Sequence, residues 1–440
     1  MKKIILFCFL ANSIFAQTPK PYGVTPSTDQ LNWHKLEYYA FIHFGPNAFT
    51  DKEWGDGTEK EEIFNPKQLD CRQWARICKA AGMKGIIITA KHHDGFALYP
   101  SKYSKHTVRE SKWKAGKGDI LKELSAACKE YGLKMGIYIS PWDRNHPAYG
   151  TPEYNQVYVN MLKEVTTLYG NLFEVWFDGA NGEGPNGKKQ VYDFPLFNKT
   201  VRTYQPHALI FSDAGPDIRW VGNENGFAGE TNWNTINGNE LFPAYDKPAH
   251  LNVGDEHGTH WIPAECDVSI RPGWFYHKNE DKKVKTDKDL MNIWNKSVGR
   301  GSNLLLNLPV DSRGLIHEND EKALMDFKKL RGEYFKNNLL TVGTFTKNFS
   351  KDTYDITLTK PQTFNCLVIK EYIRYGQRVK KFFIQVKENG TWKNVTSAST
   401  IGNKKIVYFQ KTTAKEFRIA FDEAFAKPII SKVELYSTPE

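Results

Sequence analysis

The stretch Leu172-Phe-Glu-Val-Trp-Phe-Asp-Gly179 runs through five large side chains, Phe173 to Phe177, onto a carboxylate and then a glycine. A short bulky run closed by a turn signal predicts a strand buried on both faces, as in parallel sheets. Parallel strands deliver side chains to the carboxyl edge, where open α/β sheets and barrels keep their chemistry. An aspartate is costly to bury there unless it is paired, hydrogen-bonded or used. Asp178 is the first candidate for chemistry.

Similar runs recur on both sides of it. Tyr39-Ala-Phe-Ile-His-Phe-Gly45 ends with a polar residue among aromatics, and His43 and Phe44 must face opposite ways. Lys84–Ala90 leads into Lys91-His92-His93-Asp94-Gly95, and Leu133–Ser140, with Tyr138, leads into Pro141-Trp142. Ala208–Phe211 precedes Ser212-Asp213, and Asn303–Pro309 reads as a last strand. Helical patterns lie near Cys71–Ala81, Ile120–Tyr131, Glu153–Tyr169, Phe194–Tyr204, Leu290–Gly299 and Glu318–Phe335. This alternation predicts an α/β fold in which right-handed crossovers close a (β/α)8-like barrel over residues 17–338. A doubly wound sheet is disfavoured, because no Gly-rich phosphate loop follows the first strand and polar residues follow at least five strands. Between Ser212 and Ile270 the sixth and seventh units show no clear period. Residues 339–440 carry short alternating segments such as Lys381-Phe-Phe-Ile-Gln-Val-Lys and predict a C-terminal antiparallel β-sandwich. Packing against the barrel is its expected role, ahead of carbohydrate binding.

The ends and the composition narrow the class. Residues 1–16, with two lysines, an apolar run and Ala16 before Gln17, read as a secretory signal peptide, so an exported protein, periplasmic or secreted, is expected. No later run of eighteen apolar residues suggests a membrane anchor. Without Lys2 and Lys3 the net charge falls from +10 to +8, with both signs interspersed, so nucleic acid is not an expected partner. Five cysteines remain, an odd number that argues against a disulfide framework. Aromatics make up 14% of the chain, with 12 Trp and 21 Tyr, enough to build platforms for the weakly apolar faces of sugars.

The strand-end polar residues are His43, His92, His93, Trp142, Asp178 and Asp213. Adjacent His92 and His93 would face opposite sides of a strand, and no HxH or HxxxH spacing supplies further ligands, so no metal and no cofactor are expected. No GxSxG elbow is present either. Glycoside hydrolysis fits better, with two carboxylates flanking a sugar and His, Trp and Arg holding it. Asp178 suits the nucleophile. The residues alone leave Glu224, Glu230, Glu256 and Glu265 open as its partner; Glu224 lies in Arg219-Trp-Val-Gly-Asn-Glu-Asn-Gly226, where Trp220 could provide an apolar niche that raises its pKa.

FIHFG at 41–45, ITAKHHDGF at 88–96, EVWFDGANG at 174–182 and IRWVGNENG at 218–226 resemble the α-L-fucosidases of glycoside hydrolase family 29. The resemblance spans most of Leu31 to Leu340, and the tail is similar to the family's β-sandwich. It implies an exo-acting retaining enzyme with Asp178 as nucleophile. It implies fucose contacts from His43, His92, His93, Trp54 of Glu53-Trp-Gly55 and Trp274 of Arg271-Pro-Gly-Trp-Phe275. Glu53, Tyr138, Trp142 and Arg271 join the candidate substrate-binding set. The WVGNE string resembles the branch specific for α-1,3 and α-1,4 linkages on Lewis-type glycans, which puts the acid/base role on Glu224 ahead of Glu230. The expected partner is therefore a fucosylated oligosaccharide or glycoconjugate. The alternatives are a broad or α-1,2 linkage preference, or a non-catalytic glycan-binding protein on the same scaffold.

Overall fold

The computed structural model describes residues 19–341, 343–350 and 352–439. The expected signal peptide lies outside them. Eight parallel strands close a barrel: in chain order Tyr38–Ile42, Gly85–Lys91, Lys134–Ile139, Leu172–Trp176, Leu209–Ser212, Ile218–Trp220, Ala264–Ser269 and Asn303–Asn307. The last pairs with the first, Tyr38 opposite Leu304 and Phe41 opposite Asn307.

Helices cover the outside because one face of each is apolar. Cys71–Ala81 buries Trp74, Ala75, Ile77, Cys78 and Ala81, the spacing of a single helical face. Its first turn is capped by the Asp70 carboxylate, and Gly82 stops it at φ 87°. Ile120–Tyr131 has the same construction, between Asp119 and Gly132. Strand Gly85–Lys91 is buried along its whole length, since one face meets these helices and the other fills the barrel.

Alternation decides what reaches the mouth. Tyr39 and Phe41 point into the barrel with Ile87, Tyr138, Trp176, Phe211 and Leu305, so His43 follows on the same face, while Phe44 joins the outer core. Glu174 and Trp176 face inward too, and two residues on, Asp178 arrives at the carboxyl end.

The barrel departs from regularity where the sequence was unreadable. Only residues 213–217 join the fifth and sixth strands, which pair in parallel with no helix between them. Residues 221–263 then form a long excursion with a two-stranded ribbon, Thr235–Ile236 with His260–Trp261, and the short helix Pro248–Val253. Arg219 is buried beneath it and donates to the carbonyls of Leu251, Ile262 and Trp233.

The C-terminal domain is antiparallel. Its two long strands, Thr353–Glu371 and Lys405–Ala424, each cross from one layer to the other through register breaks such as that between Thr357 and Gln362. The layers close on a core that includes Ile356, Leu367, Ile369, Phe382, Phe417, Ile419 and Leu435. The domain sits against the base of the barrel, where Glu37 meets Lys370 and Lys404. Cys71, Cys78, Cys128, Cys266 and Cys366 are all free and buried. Among the described residues no helix is long and apolar enough to cross a membrane.

Candidate active site

A cavity of about 470 Å³ opens at the carboxyl end of the barrel. It is lined by His43, Glu53, Trp54, His92, His93, Tyr138, Asp178, Glu224 and Trp274 from the predicted set, and by Phe41, Trp176, Ala180, Asp267 and Pro272 besides.

Asp178 is held at both oxygens. Oδ1 accepts the backbone N–H of Ala180 at 2.8 Å, and Oδ2 accepts the Tyr138 hydroxyl at 3.0 Å. His93 Nε2 lies 3.7 Å from the same Oδ2. Two donors fix the carboxylate's rotation while leaving it a quarter exposed to the cavity.

Glu224 stands on the rim. The residue as a whole is exposed, but the protein crowding its carboxyl raises its pKa, as do the charges of Asp178 and Glu53. The indole N–H of Trp274 donates to Oε2 at 3.2 Å and pulls the other way. Of the four carboxylates in the cavity lining, Asp178 is pinned by donors and Glu224 is biased toward its protonated form.

The three histidines are neutral. Burial pushes His43 down to about 3 and His93 to about 4, and His92 is lowered well below the ordinary value. Their positive forms would have to be desolvated next to one another. The tautomer of His43 follows from its neighbour. Asn307 spends its amide hydrogens on Ser269 Oγ and the Trp274 carbonyl, so its oxygen faces His43 Nδ1 at 2.8 Å. Nδ1 therefore carries the hydrogen, and Nε2 is left as an acceptor. His93 Nδ1 is 2.8 Å from Ser140 Oγ.

The expectation that His92 and His93 face opposite sides does not hold. The strand ends at Lys91, so both sit in the following turn and line the cavity with ring centroids 4.1 Å apart. Among the described residues no group of three or more His, Cys, Asp or Glu is arranged to hold a metal ion.

Other predicted residues are placed differently. Arg271 does not line the cavity: its guanidinium is buried against Asp320 at 2.9 Å and Asp281 at 2.9 Å, so it braces the loop that carries Trp274. Trp142 lies behind His93, 4.9 Å between ring centroids, with its indole N–H on the Glu183 carbonyl. Glu53 lines the cavity, but its oxygens take the backbone N–H groups of Trp274 and Phe275 and His277 Nε2. Trp54 is 53% exposed at the rim, edge-on to His93.

Of the alternative carboxylates, neither Glu230 nor Glu256 lines the cavity. Glu265 is buried inside the barrel, where it accepts from Tyr39 and Trp176 beside Glu174. The sequence reading missed Asn307 and Asp267. Asn307 could have been found, since it ends the last strand as Asp178 follows the fourth. Asp267 lies in the seventh strand, which the pattern did not reveal.

A closed parallel barrel whose mouth gathers Asp178 and Glu224 with neutral imidazoles and indoles defines a glycoside hydrolase. Residues 21–338 match the family model described as alpha-L-fucosidase. Alpha-L-fucosidase 1 of Arabidopsis thaliana is 40% identical over 459 aligned positions, covering 97% of this chain and 90% of that one. A solved glycoside hydrolase 29 family member from an unknown rumen bacterium is 45% identical with TM-score 0.91, over 96% of this chain and 78% of its own. A Ruminococcus gnavus family 29 fucosidase solved in complex with fucose is 30% identical with TM-score 0.86, over 97% of each chain. The chain belongs to the α-L-fucosidase family, glycoside hydrolase family 29.

Proposed function

We propose that the chain is an exported, exo-acting, retaining α-L-fucosidase that removes α-1,3- and α-1,4-linked fucose from branched, Lewis-type glycans. The observation that carries the catalytic assignment is the pairing in one cavity of Asp178, held by two hydrogen-bond donors, with Glu224, whose crowded carboxyl has a raised pKa. Asp178 attacks the anomeric carbon while Glu224 gives its proton to the departing glycosidic oxygen. The bond to the aglycone breaks as the ester to Asp178 forms. Glu224, now a carboxylate, takes a proton from water, and that water's oxygen displaces Asp178 to release fucose with its original α configuration. His43, with Nε2 as acceptor, and His92 and His93 hold the sugar's hydroxyls; Trp54 and Trp274 cover its faces. No step calls for a metal or a cofactor. The linkage preference is supported by the WVGNE string at 220–224, and the export by the apolar leader.

Azide separates the two carboxylates. With an activated aryl fucoside, Asp178→Gly should lose nearly all turnover, and any azide-rescued product should be β-L-fucosyl azide. Glu224→Ala should still form the ester, and azide attacking it should give the α product. A β product from Glu224→Ala moves the acid/base role elsewhere. Cleavage of 2′-fucosylated lactose as fast as a Lewis trisaccharide rules out the linkage assignment.

A further inference from the structure

Asp213 follows the fifth strand, lies outside the cavity lining and has no part in the chemistry above. Its Oδ2 accepts the backbone N–H of Ala244 at 2.8 Å; burial and the charge of Asp178 push its pKa up to about 6, against the pull of the Ala244 and Gly179 N–H groups. A Cβ on Gly179 would fall 1.7 Å from that same oxygen. The glycine after Asp178 is thus what admits the Asp213 carboxylate against the nucleophile's loop. On the other side, Ala244 has φ 64°, a backbone state that residues with a Cβ seldom adopt. The residue in the unfavourable state is the one whose N–H the carboxylate holds.

Phe242 stands two positions earlier and is 53% exposed. Its ring packs edge-on against Tyr245, 5.5 Å between centroids. Tyr245 is backed in turn: its hydroxyl is 2.8 Å from His250 Nδ1, and His250 Nε2 is 2.8 Å from Asp255. Two residues of chain span at most about 7 Å, so the Phe242 backbone lies within that reach of Ala244, whose N–H is held by the carboxylate packed on the loop of Asp178. Phe242 is a large ring braced from behind and open in front.

We propose that Phe242 is a stacking platform for the aglycone, the pyranose that carries the fucose, and that Asp213 is the positioning residue that fixes this platform relative to the loop of Asp178. The proposal rests on the assignment of Asp178 as nucleophile. The ligand is a sugar ring with a contiguous C–H face, which an exposed aromatic recognises without hydrogen bonds.

The test compares an aryl α-L-fucoside, which has no aglycone sugar, with whichever of a Lewis trisaccharide and 2′-fucosylated lactose the wild type cleaves faster. Phe242→Ala should lower the ratio of oligosaccharide to aryl kcat/KM tenfold or more, mainly through KM. Asp213→Ala should lower the same ratio, and the double variant should lower it no further than Phe242→Ala alone. Asp213→Asn, which keeps one acceptor oxygen, should recover part of the loss. A general loss of folded protein would depress both substrates and leave the ratio where it was. A ratio within twofold of wild type for Phe242→Ala overturns the platform. Multiplication of the two losses in the double variant overturns the coupling. A wild type that cleaves no α-L-fucoside would overturn the fucosidase reading itself, a result distinct from either.

Discussion

At Asp178 a single phenol hydroxyl and one peptide N–H hold the carboxylate in place. Tyr138→Phe keeps the ring that stacks near His92 and Trp176 but removes the hydroxyl. A hydrogen bond to a charged group is worth about 1.5–3 kcal/mol, so kcat/KM on an aryl fucoside should fall roughly ten- to a hundredfold, with the melting temperature little changed. A loss confined to KM would show that the hydroxyl serves only to bind substrate. Trp274→Phe probes the other carboxylate. The indole N–H stabilises the Glu224 carboxylate, so its removal should push the Glu224 pKa further up. The acid then stays protonated to higher pH, and the alkaline limb of kcat/KM should move upward. A limb that stays still or moves down would mean that another group is the proton donor. Asp178, His43 and Glu224 were legible because each sits at a strand end or in a Gly-flanked loop. Arg271 entered the candidate substrate-binding set as an arginine that could hold a sugar, but the sequence does not show that Asp320, 49 positions away, holds its guanidinium.

At the level of the elements, helices were legible wherever an apolar face and caps coincide. Cys71–Ala81, Ile120–Tyr131 and Phe194–Tyr204 begin and end where the pattern puts them. The sixth and seventh strands were not legible, for two physical reasons. Ile218–Trp220 is only three residues long and follows the fifth strand without a helix, so no period can develop. Ala264–Ser269 turns Glu265 and Asp267 inward, and carboxylates inside a barrel contradict the apolar rule for a buried strand. The loop after that strand carries its own prediction. Arg271→Ala leaves Asp320 and Asp281 without their cation, and breaking a buried pair by removing one partner costs about 3–5 kcal/mol. The variant should melt several degrees lower, and any rise in KM for an aryl fucoside, through the unbraced loop of Trp274, should come only together with that loss of stability. A raised KM with an unchanged melting temperature would return Arg271 to the substrate-binding set.

For the whole molecule, the change in texture near Leu340 falls between the helix Glu318–Tyr334 and the strand Phe345–Phe349, but it does not tell what holds the second domain to the first. The joint includes Glu37, just before the first barrel strand and at the opposite end from the cavity. Its carboxylate meets Lys370 at 2.7 Å and also Lys404, both from the sandwich, in a seam where all three side chains are less than a quarter exposed. The sequence hides this pair because the partners lie more than 300 positions apart. Burial raises the pKa of Glu37, but the two lysines outweigh it and the net shift is downward. A depressed carboxylate contributes stability that is present above its unfolded value, about 4.3, and is lost as pH falls through the lower folded value. Glu37→Gln should therefore lower the melting temperature at pH 7, by about 2 kcal/mol of stability once partial solvent access is discounted. As pH falls below the unfolded value toward 3 the wild type should begin to lose the same contribution, so the gap between the two proteins should narrow. Hydrolysis of an aryl fucoside at pH 7 and 25 °C should stay within twofold of wild type, because Glu37 lies at the opposite end of the barrel from the cavity. Melting curves at the two pH values check the linkage. A gap of equal size at both would show that Glu37 contributes through packing and not through its charge.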